Sequence, residues 1–239
     1  MFMKRFLKKL LGRDSAQSLE NWFYYWLQAQ NSDWRSQCSP KNCYFEFGVG
    51  WGGTMSAFAR AAVRYCKDHK ADIKDISIVG FDSFQGLPEK QSKADDHIVW
   101  QKGSFSNSKE VTLNQVEKIG FPANNVMFIE GFFNESLNSE NFQKIAHFSP
   151  SIITVDVDYY SSTQLALEFI APLLKSGAVF YFDDLWSFHG HPDMGQPKAI
   201  KEFHGKKGYL TPGRIFDHNG STYIFSALEW EFGTQPESE

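Results

Sequence analysis

The sequence YFEFGVGWGGT, residues 44–54, matches two glycine fingerprints that predict different chemistry. Gly48, Gly50 and Gly53 fit the GxGxxG of a dinucleotide-binding turn. The same stretch, taken from Glu46, fits ExGxGxG, which is typical of turns that hold S-adenosylmethionine. Both fingerprints place glycines between a strand and a helix, where they permit a tight turn and a close approach of the backbone to a ligand. The stretch therefore predicts a nucleoside-binding α/β fold and leaves the cofactor open; a glycine-rich turn that holds no ligand is the alternative.

Short apolar runs alternate with helical segments along the chain beyond this turn. Runs that are apolar on both faces and separated by helices are typical of a doubly wound, mostly parallel sheet. The expected strands are residues 44–48, 76–81, 126–130, 152–157 and 178–182, and the expected helices are residues 55–67, 109–119, 136–146 and 163–174. The long polar segment between residues 85 and 125 has the length of a lid or binding loop.

The two ends of the chain differ from this pattern. Residues 1–40 are predicted to form a helical extension, and residues 41–239 a single domain. In the tail RIFDHNGSTYIFSALEW, two β-rich runs predict an antiparallel hairpin that turns at Asn219-Gly220. The basic amphipathic start, MFMKRFLKKLLGR, is expected to pack on the domain or on a second subunit. Weak contact with an anionic membrane surface is the alternative.

The composition is that of a globular protein with an acidic balance. Hydrophobic residues make up 42% and charged residues 22%, and the net charge is −4 with a pI near 6.0. This balance gives no general attraction to nucleic acid, so nucleic-acid binding is not expected. The three cysteines form no CxxC pair and are typical of reduced thiols. No apolar run has the length of a membrane span, and a cytoplasmic location is expected.

The second expected strand ends in IVGFDSF, which places Asp82 beside the glycine turn. A carboxylate at this point can accept both hydroxyls of a ribose, a role shared by NAD and S-adenosylmethionine sites. Glu46 favours the methyl donor, because a carboxylate attracts the ammonium group of that donor and repels a pyrophosphate. Phe84 or Phe132 is a candidate to stack on the adenine.

Two acidic pairs follow the last two expected parallel strands. IITVDVDYYSST contains Asp156 and Asp158, and FYFDDLW contains Asp183 and Asp184. The carboxyl ends of the strands form the ligand-binding edge of an open α/β sheet. Carboxylates that meet there repel one another unless a cation neutralises them, and oxygen ligands suit Mg²⁺ or Ca²⁺. We therefore expect Asp156, Asp183 and Asp184 to hold a metal ion.

These acids suit methyl transfer to an alcohol. A metal stabilises the charge that develops when a sugar hydroxyl loses its proton, and a carboxylate beside the metal can take that proton. Asp158 is the candidate base, since in an extended strand it points to the same face as Asp156. Taken singly, either acidic pair has the alternative role of forming turns or capping helices.

Five segments of the chain occur in the order found in macrocin-type O-methyltransferases, a family that methylates sugar hydroxyls in macrolide and aminocoumarin antibiotics. They are YFEFGVGWGGT, GFDSFQGLPE, VMFIEGFF, VDVDYYSSTQLALEFIAPLLKSGAVFYFDD and GQPKAIKEF, between residues 44 and 203. The chain thus resembles that family. The resemblance implies a class I methyltransferase fold, Rossmann-like, with a doubly wound, mostly parallel seven-stranded sheet that ends in an antiparallel hairpin.

The resemblance also implies two cofactors, S-adenosylmethionine and Mg²⁺, and the residues that hold them. The implied metal ligands are Asp156, Asp183 and Asp184. Asp158 matches the position of the base. The expected donor-binding residues are Glu46, Gly48, Gly50, Thr54, Asp82, Ser83, Phe84, Gly131, Phe132 and Asp156. The implied acceptor is a small molecule or glycan with vicinal hydroxyls, and a homo-oligomer is expected.

Two motifs depart from the family pattern. The third strand is followed by GFFNESL where the family more often has GWFxDTLP, and the last strand reads STYIFSAL. The acceptor therefore stays open between an antibiotic sugar, a surface polysaccharide, a glycolipid and another glycoside. His189 and His191 are expected to lie in a polar loop, and contact with the acceptor or the metal is the alternative. Two other functions stay open: a nicotinamide-dependent sugar oxidoreductase that uses the GxGxxG turn, and a non-catalytic nucleoside-binding partner.

Overall fold

The computed structural model describes residues 18–32, 43–213 and 222–228, which form a seven-stranded sheet covered by helices. The strands are β1 (Cys43–Phe47), β2 (Ser77–Asp82), β3 (Val126–Glu130), β4 (Ile152–Val155), β5 (Val179–Phe182), β6 (Tyr209–Pro212) and β7 (Thr222–Ser226). The helices are α1 (residues 18–30), α2 (Gly53–His69), α3 (Lys109–Ile119), α4 (Phe133–Ser136), α5 (Ser139–Ile145), α6 (Tyr160–Ile170) and α7 (Gly195–Phe203). The strand order is β3-β2-β1-β4-β5-β7-β6, with β7 antiparallel to both neighbours. The predicted fold class is confirmed.

Strand β1 lies at the centre of the parallel part of the sheet and explains where a site can form. All five of its residues are buried, as expected for a strand covered on both faces. It pairs in parallel with β2 and β4, and Phe47 lies opposite both Phe81 and Val155. The carboxyl ends of these three strands therefore meet at one edge of the sheet.

Two hydrophobic clusters cover the two faces of the sheet. Alternate side chains of β1 point to opposite faces, so Phe45 and Phe47 belong to one cluster and Tyr44 to the other. Helices α6 and α7 complete the first cluster, and helices α1, α2 and α3 complete the second. The sheet is therefore the middle layer of three.

Helix α1 is part of the second cluster. Its apolar face is buried through Trp22, Phe23, Trp26 and Leu27. Phe23 lies edge-on to Tyr44 of β1, with 5.3 Å between the ring centroids. The described part of the expected N-terminal extension thus folds onto the domain. The amphipathic start and residues 33–42 lie outside the described residues, so the domain boundary and the membrane contact stay predictions.

The antiparallel pair at the C-terminal end has a register that the sequence did not indicate. Strands β6 and β7 pair with Leu210 opposite Phe225, and the N–H of Gly213 donates to the carbonyl of Thr222 at 2.7 Å. The antiparallel pairing predicted for this end of the chain is confirmed, and the turn at Asn219-Gly220 stays a prediction. Burial of Leu210 and Phe225 in the first cluster sets the register. Residues 214–221 lie outside the described residues.

Element boundaries differ from expectation where local hydrogen bonds intervene. The expected helix 136–146 is divided into α4 and α5, because Asn138 caps α5 by accepting the N–H of Asn141 at 2.9 Å. Helix α6 starts at Tyr160 and tightens into a 3₁₀ turn at Ala171–Leu173. Strand β4 ends at Val155, which changes the geometry of the acidic residues that follow it.

Two further expectations can be compared with the described residues. Cys43 and Cys66 are free and buried, which agrees with packed, reduced thiols; Cys38 lies outside the described residues. Among the helices that are described, none is both long enough and apolar enough to cross a membrane.

Candidate active site

A cavity of about 540 Å³ opens at the carboxyl edge of β1, β2, β4 and β5. The predicted site residues all line this cavity except Glu46 and Phe84. Among the described residues on its wall, every charged side chain is an aspartate: Asp82, Asp156, Asp158, Asp183 and Asp184. The cavity thus brings the glycine turn and the two acidic pairs together in one site.

Gly48 is required by the close contact between the glycine turn and the end of β4. Its φ is +83°, and a Cβ at this position would lie 1.7 Å from the backbone oxygen of Asp156. No side chain fits that space, and the positive φ also favours glycine. The N–H of Gly48 donates to the carbonyl of Phe81 at 2.9 Å. The turn is therefore held between β2 and β4, with its following residues on the cavity wall.

Asp82 lies across the mouth of the glycine turn. One of its carboxylate oxygens accepts the N–H of Gly50 at 2.8 Å, and the other accepts the N–H of Phe84 at 2.6 Å. These bonds orient the carboxylate and leave lone pairs for the hydroxyls of a ligand. Asn107 supports the same turn by donating its amide to the Gly50 carbonyl at 2.9 Å, a contact that no motif indicated.

Two of the predicted donor-binding residues lie off the cavity wall. Glu46 is fully buried beneath the turn, where the Tyr44 hydroxyl donates to its carboxyl group at 2.9 Å. Burial raises the pKa of Glu46 well above its ordinary value, and the charge of Asp82 raises it further. Phe84 packs edge-on against Phe128, with ring centroids 5.5 Å apart. The predicted contacts of Glu46 and Phe84 with the donor stay predictions.

Asp156, Asp183 and Asp184 meet at the ends of β4 and β5. Each offers one carboxylate oxygen, and these oxygens lie within 4.8 Å of one another. Burial raises the pKa of Asp156 well above its ordinary value, and repulsion by Asp184 and Asp183 adds to the shift. Burial and the charge of Asp183 raise the pKa of Asp184 to about 7. A divalent cation with oxygen ligands would relieve this repulsion, so the donor set fits such an ion.

Gln196, in the first turn of α7, positions Asp184 and was missed as a site residue from the sequence. Its side chain is fully buried. Its amide nitrogen donates to the Val155 carbonyl at 2.8 Å, and its amide oxygen accepts the N–H of Asp184 at 2.9 Å. One side chain thus joins the ends of β4 and β5. The available signal was the segment GQPKAIKEF, in which Gln196 precedes a proline, a residue tolerated in the first turn of a helix.

Asp158 lines the cavity beside this cluster, but the reason given from the sequence is wrong. Strand β4 ends at Val155 and Asp158 has a φ of +61°, so Asp156 and Asp158 do not share one face of an extended strand. The N–H of Asp158 donates to Oδ2 of Asp184 at 2.9 Å, which holds the turn. Burial, followed by repulsion from Asp184 and Asp183, raises the pKa of Asp158 to about 8.

These shifts predict how the stability of the metal-free protein depends on pH. The pKa values of Asp184 and Asp158, about 7 and about 8, lie above the ordinary 3.8, so the folded protein binds more protons than the unfolded chain in this window. The resulting stability is complete below pH 3.8 and is lost as the pH rises through both values. We expect the Tm in EDTA to fall between pH 5.5 and pH 8.5 in a thermal-shift series, and Asp184→Asn to flatten that fall. A wild-type Tm that rises over this range would contradict the shifts.

The wall beside the acids is rich in aromatic side chains. Trp51 and Phe105 line the cavity and are 63% and 53% exposed, whereas Trp100 lines it from a buried position. Such side chains present flat apolar surfaces at the opening of the cavity. His189 and His191 are not among the lining residues, which agrees with a polar loop outside the cavity.

The strand order and the cavity at the carboxyl edge define a class I methyltransferase fold. Two solved structures are similar to the chain. The calicheamicin methyltransferase CalS11 has a TM-score of 0.66 and 19% identity, with 90% of this chain and 79% of that chain covered. The O-methyltransferase NovP has a TM-score of 0.64 and 19% identity, with 89% and 80% covered. At these identities the likeness shows the fold alone.

The chain belongs to the macrocin O-methyltransferase (TylF) family, which it matches over residues 41–223. A curated relative is the 8-demethyl-8-(2,3-dimethoxy-α-L-rhamnosyl)-tetracenomycin-C 4′-O-methyltransferase of Streptomyces olivaceus. The two are 30% identical over 182 residues, which covers 73% of this chain and 62% of the relative. The chain thus spans about three fifths of the length of that relative. The resemblance stated from the sequence motifs is confirmed.

Proposed function

We propose that the chain is an S-adenosylmethionine- and Mg²⁺-dependent O-methyltransferase that methylates a hydroxyl of a sugar or glycoside. One observation carries the proposal: a single cavity holds the glycine turn and, as its only charged described side chains, five aspartates. A cationic donor and a divalent ion are both complementary to such a wall. The pyrophosphate of a dinucleotide would instead meet five carboxylates and no described basic side chain. The charge of the site therefore favours methyl transfer over the nicotinamide alternative.

The residues around the glycine turn would hold the methyl donor. A Cβ at Gly50 would meet no atom within 4 Å, so the turn is open toward the cavity there, and Asp82 is oriented to accept the hydroxyls of a ribose. Phe132 and Gly131 line the cavity where the adenine is expected. When bound, the donor supplies an electrophilic methyl group on a sulfonium. The task of the protein is to place the acceptor oxygen in line with that group and to exclude water.

Asp156, Asp183 and Asp184 would hold the metal ion. When bound, Mg²⁺ supplies positive charge that favours loss of the proton from a nearby hydroxyl. Vicinal hydroxyls of a sugar suit this arrangement, because two neighbouring oxygens can approach one ion together. Asp158 adjoins the cluster but is not one of the three candidate metal ligands. Its carboxylate would therefore be available to take the proton from the acceptor.

The acceptor would enter between the acids and the aromatic wall. Trp51, Trp100 and Phe105 offer flat surfaces against which the apolar face of a sugar ring can pack. The S. olivaceus relative is named for methylation of a rhamnosyl group, so α-L-rhamnosides are the first acceptors to try. A homo-oligomer is also part of the proposal, and light scattering after size-exclusion chromatography measures it.

The function is tested by donor binding and by a panel of glycosides. In calorimetry, S-adenosylhomocysteine should bind and NADH should not. With S-adenosylmethionine and Mg²⁺, mass spectrometry should detect the addition of one methyl group to p-nitrophenyl α-L-rhamnopyranoside or to another glycoside of the panel. Binding of NADH without S-adenosylhomocysteine would favour an oxidoreductase. Donor binding without methylation of any glycoside would favour a non-catalytic nucleoside-binding protein.

The metal requirement is tested separately. We expect EDTA to abolish methylation, Mg²⁺ to restore it, and Asp183→Asn to lower kcat by at least about 100-fold, because the ligand set loses one of three carboxylates. Mg²⁺ should raise the Tm of the wild type and not that of Asp183→Asn. Asp193→Asn is the matched control, since Asp193 lies outside the cavity and pairs with Lys201 at 3.0 Å. Full wild-type activity in EDTA would show that the mechanism needs no metal.

A further inference from the structure

We propose that Asp95 is a positioning residue that holds the acceptor side of the cavity against its acidic edge. The acceptor loop, defined as residues 86–105, contributes Gly86, Leu87, Pro88, Trp100, Ser104 and Phe105 to the cavity wall. Asp95 lies in the middle of this loop and is fully buried, although it does not line the cavity. The role of the loop in acceptor binding rests on the proposed function. We call the joint hold of Asp95 on the acceptor loop and on α6 the clamp, and it rests on the hydrogen bonds of Asp95 alone.

The Asp95 carboxylate joins two parts of the chain that are distant in sequence. Its Oδ2 accepts the N–H groups of Gln91 and Ser92, at 3.0 Å and 2.9 Å, within the acceptor loop. Its Oδ1 accepts the N–H of Ser161, at 2.9 Å, in the first turn of α6. An N–H in the first turn of a helix has no partner within the helix, so a carboxylate is well suited to this position. The same side chain thus shapes the loop and ties it to α6.

The bond from Asp95 to α6 also affects the acidic edge, because α6 begins two residues after Asp158, the candidate base. Ser161 is separated from Asp158 only by Tyr159 and Tyr160. Tyr159 is buried in a small cluster with Leu87, Trp100 and Phe188, so the loop packs on the same turn that Asp95 bonds. A change in the bonds of Asp95 would therefore move the aromatic wall relative to Asp158.

A second, weaker tie joins the loop to the segment after β5. The His97 ring lies 3.1 Å from the carbonyl of Ser187, measured from Nε2, and packs on Trp100 with 4.0 Å between ring centroids. Ser187 in turn donates to Asp184 at 3.3 Å. The loop is thus connected to both acidic pairs, through Asp95 to the first and through His97 to the second.

Asparagine at position 95 tests the clamp without a large change in volume. An amide has only one acceptor oxygen. Its NH₂ group would therefore face backbone N–H groups either in the loop or at the start of α6, and that side would lose its hydrogen bonds. Asp96→Asn is the matched control: Asp96 is the neighbouring acid, has a 76% exposed side chain and pairs only with the loop, through Lys90 at 2.8 Å. Both variants remove the same charge from the same loop.

Hydrogen exchange and kinetics on the full chain report different parts of the proposal. In Asp95→Asn, exchange should accelerate in peptides that cover Gln91, Ser92 and Ser161. The KM for p-nitrophenyl α-L-rhamnopyranoside, or for the panel glycoside that is methylated, should rise at least about tenfold, because charge-assisted bonds that place the loop are lost. The affinity for S-adenosylhomocysteine should change less than about twofold, since the glycine turn is untouched. Asp96→Asn should match the wild type in every measurement.

Other results would contradict either the role of Asp95 or the proposed methyltransferase function. Unchanged exchange and unchanged acceptor KM in Asp95→Asn would refute the clamp. An equal loss of donor affinity and acceptor affinity would show a general folding role instead. If Asp95→Asn does not fold, Asp95→Glu keeps the carboxylate but displaces it, and wild-type exchange at Ser161 together with a wild-type acceptor KM would then overturn the proposal. A wild type that methylates no glycoside refutes the proposed function, while hydrogen exchange alone still decides the clamp.

Discussion

Asp158→Asn is expected to lower kcat by about 10²- to 10⁴-fold, the contribution that a positioned general base typically makes. Asparagine keeps the size of the side chain and the backbone N–H that donates to Asp184, so the turn at this position is preserved. What it removes is the carboxylate proposed to take the proton from the acceptor. Single-turnover methylation with S-adenosylmethionine and Mg²⁺ measures the effect without interference from product release.

Donor and metal binding distinguish loss of the base from loss of the site. The variant should bind S-adenosylhomocysteine as the wild type does, because Asp82 and the glycine turn are unchanged. It should also keep the rise in Tm with Mg²⁺, since the three metal-type ligands are Asp156, Asp183 and Asp184. Asp193→Asn again serves as the control, with an exposed carboxylate replaced in the same way. A kcat within about fivefold of the wild type would show that Asp158 is not the base.

The residues at the strand ends were predictable because one sequence pattern indicates both where a strand ends and where ligands bind. A buried strand followed by a charged or glycine-rich stretch marks both the boundary of the strand and the edge of the sheet where ligands bind. This is why Gly48, Asp82, Asp156 and Asp184 could each be assigned to one cavity from the sequence, and why they line it. Parallel pairing with Phe47 opposite Val155 then brings the acids beside the glycine turn.

Side-chain direction was less predictable, because it depends on backbone bonds that a pattern does not encode. Glu46 does not line the cavity, because its side chain is buried beside Tyr44, and its predicted contact with the donor stays a prediction. Asp158 was assigned by strand alternation, whereas β4 ends at Val155 and Asp158 has a φ of +61°. Gln196 and Asp95 lie far from the motifs in sequence, and only the fold brings them to the site.

Gly48→Ala is expected to have the largest effect on stability among single substitutions in the turn. The new Cβ would lie 1.7 Å from the backbone oxygen of Asp156, and the φ of +83° is unfavourable for alanine. The two residues cannot move apart easily, since each directly follows a paired strand and is held by a backbone hydrogen bond to the neighbouring strand. Conformational strain and overpacking together should cost roughly 2–5 kcal/mol of the free energy of unfolding. Urea denaturation, with the m value compared with that of the wild type, measures the loss.

Gly53→Ala is the control that shows whether the steric contact at position 48, rather than any substitution in the glycine turn, causes the loss of stability. Gly53 begins α2 and has no positive φ, and a methyl group added there would meet no atom within 4 Å, so alanine should be neutral or slightly stabilising. The same contact that excludes a side chain at position 48 fixes the distance between the glycine turn and Asp156. Gly48→Ala should therefore weaken both S-adenosylhomocysteine binding and the Mg²⁺-dependent rise in Tm, even in the fraction that stays folded. Stability and both affinities equal to those of the wild type would show that the strands can separate at this point without cost.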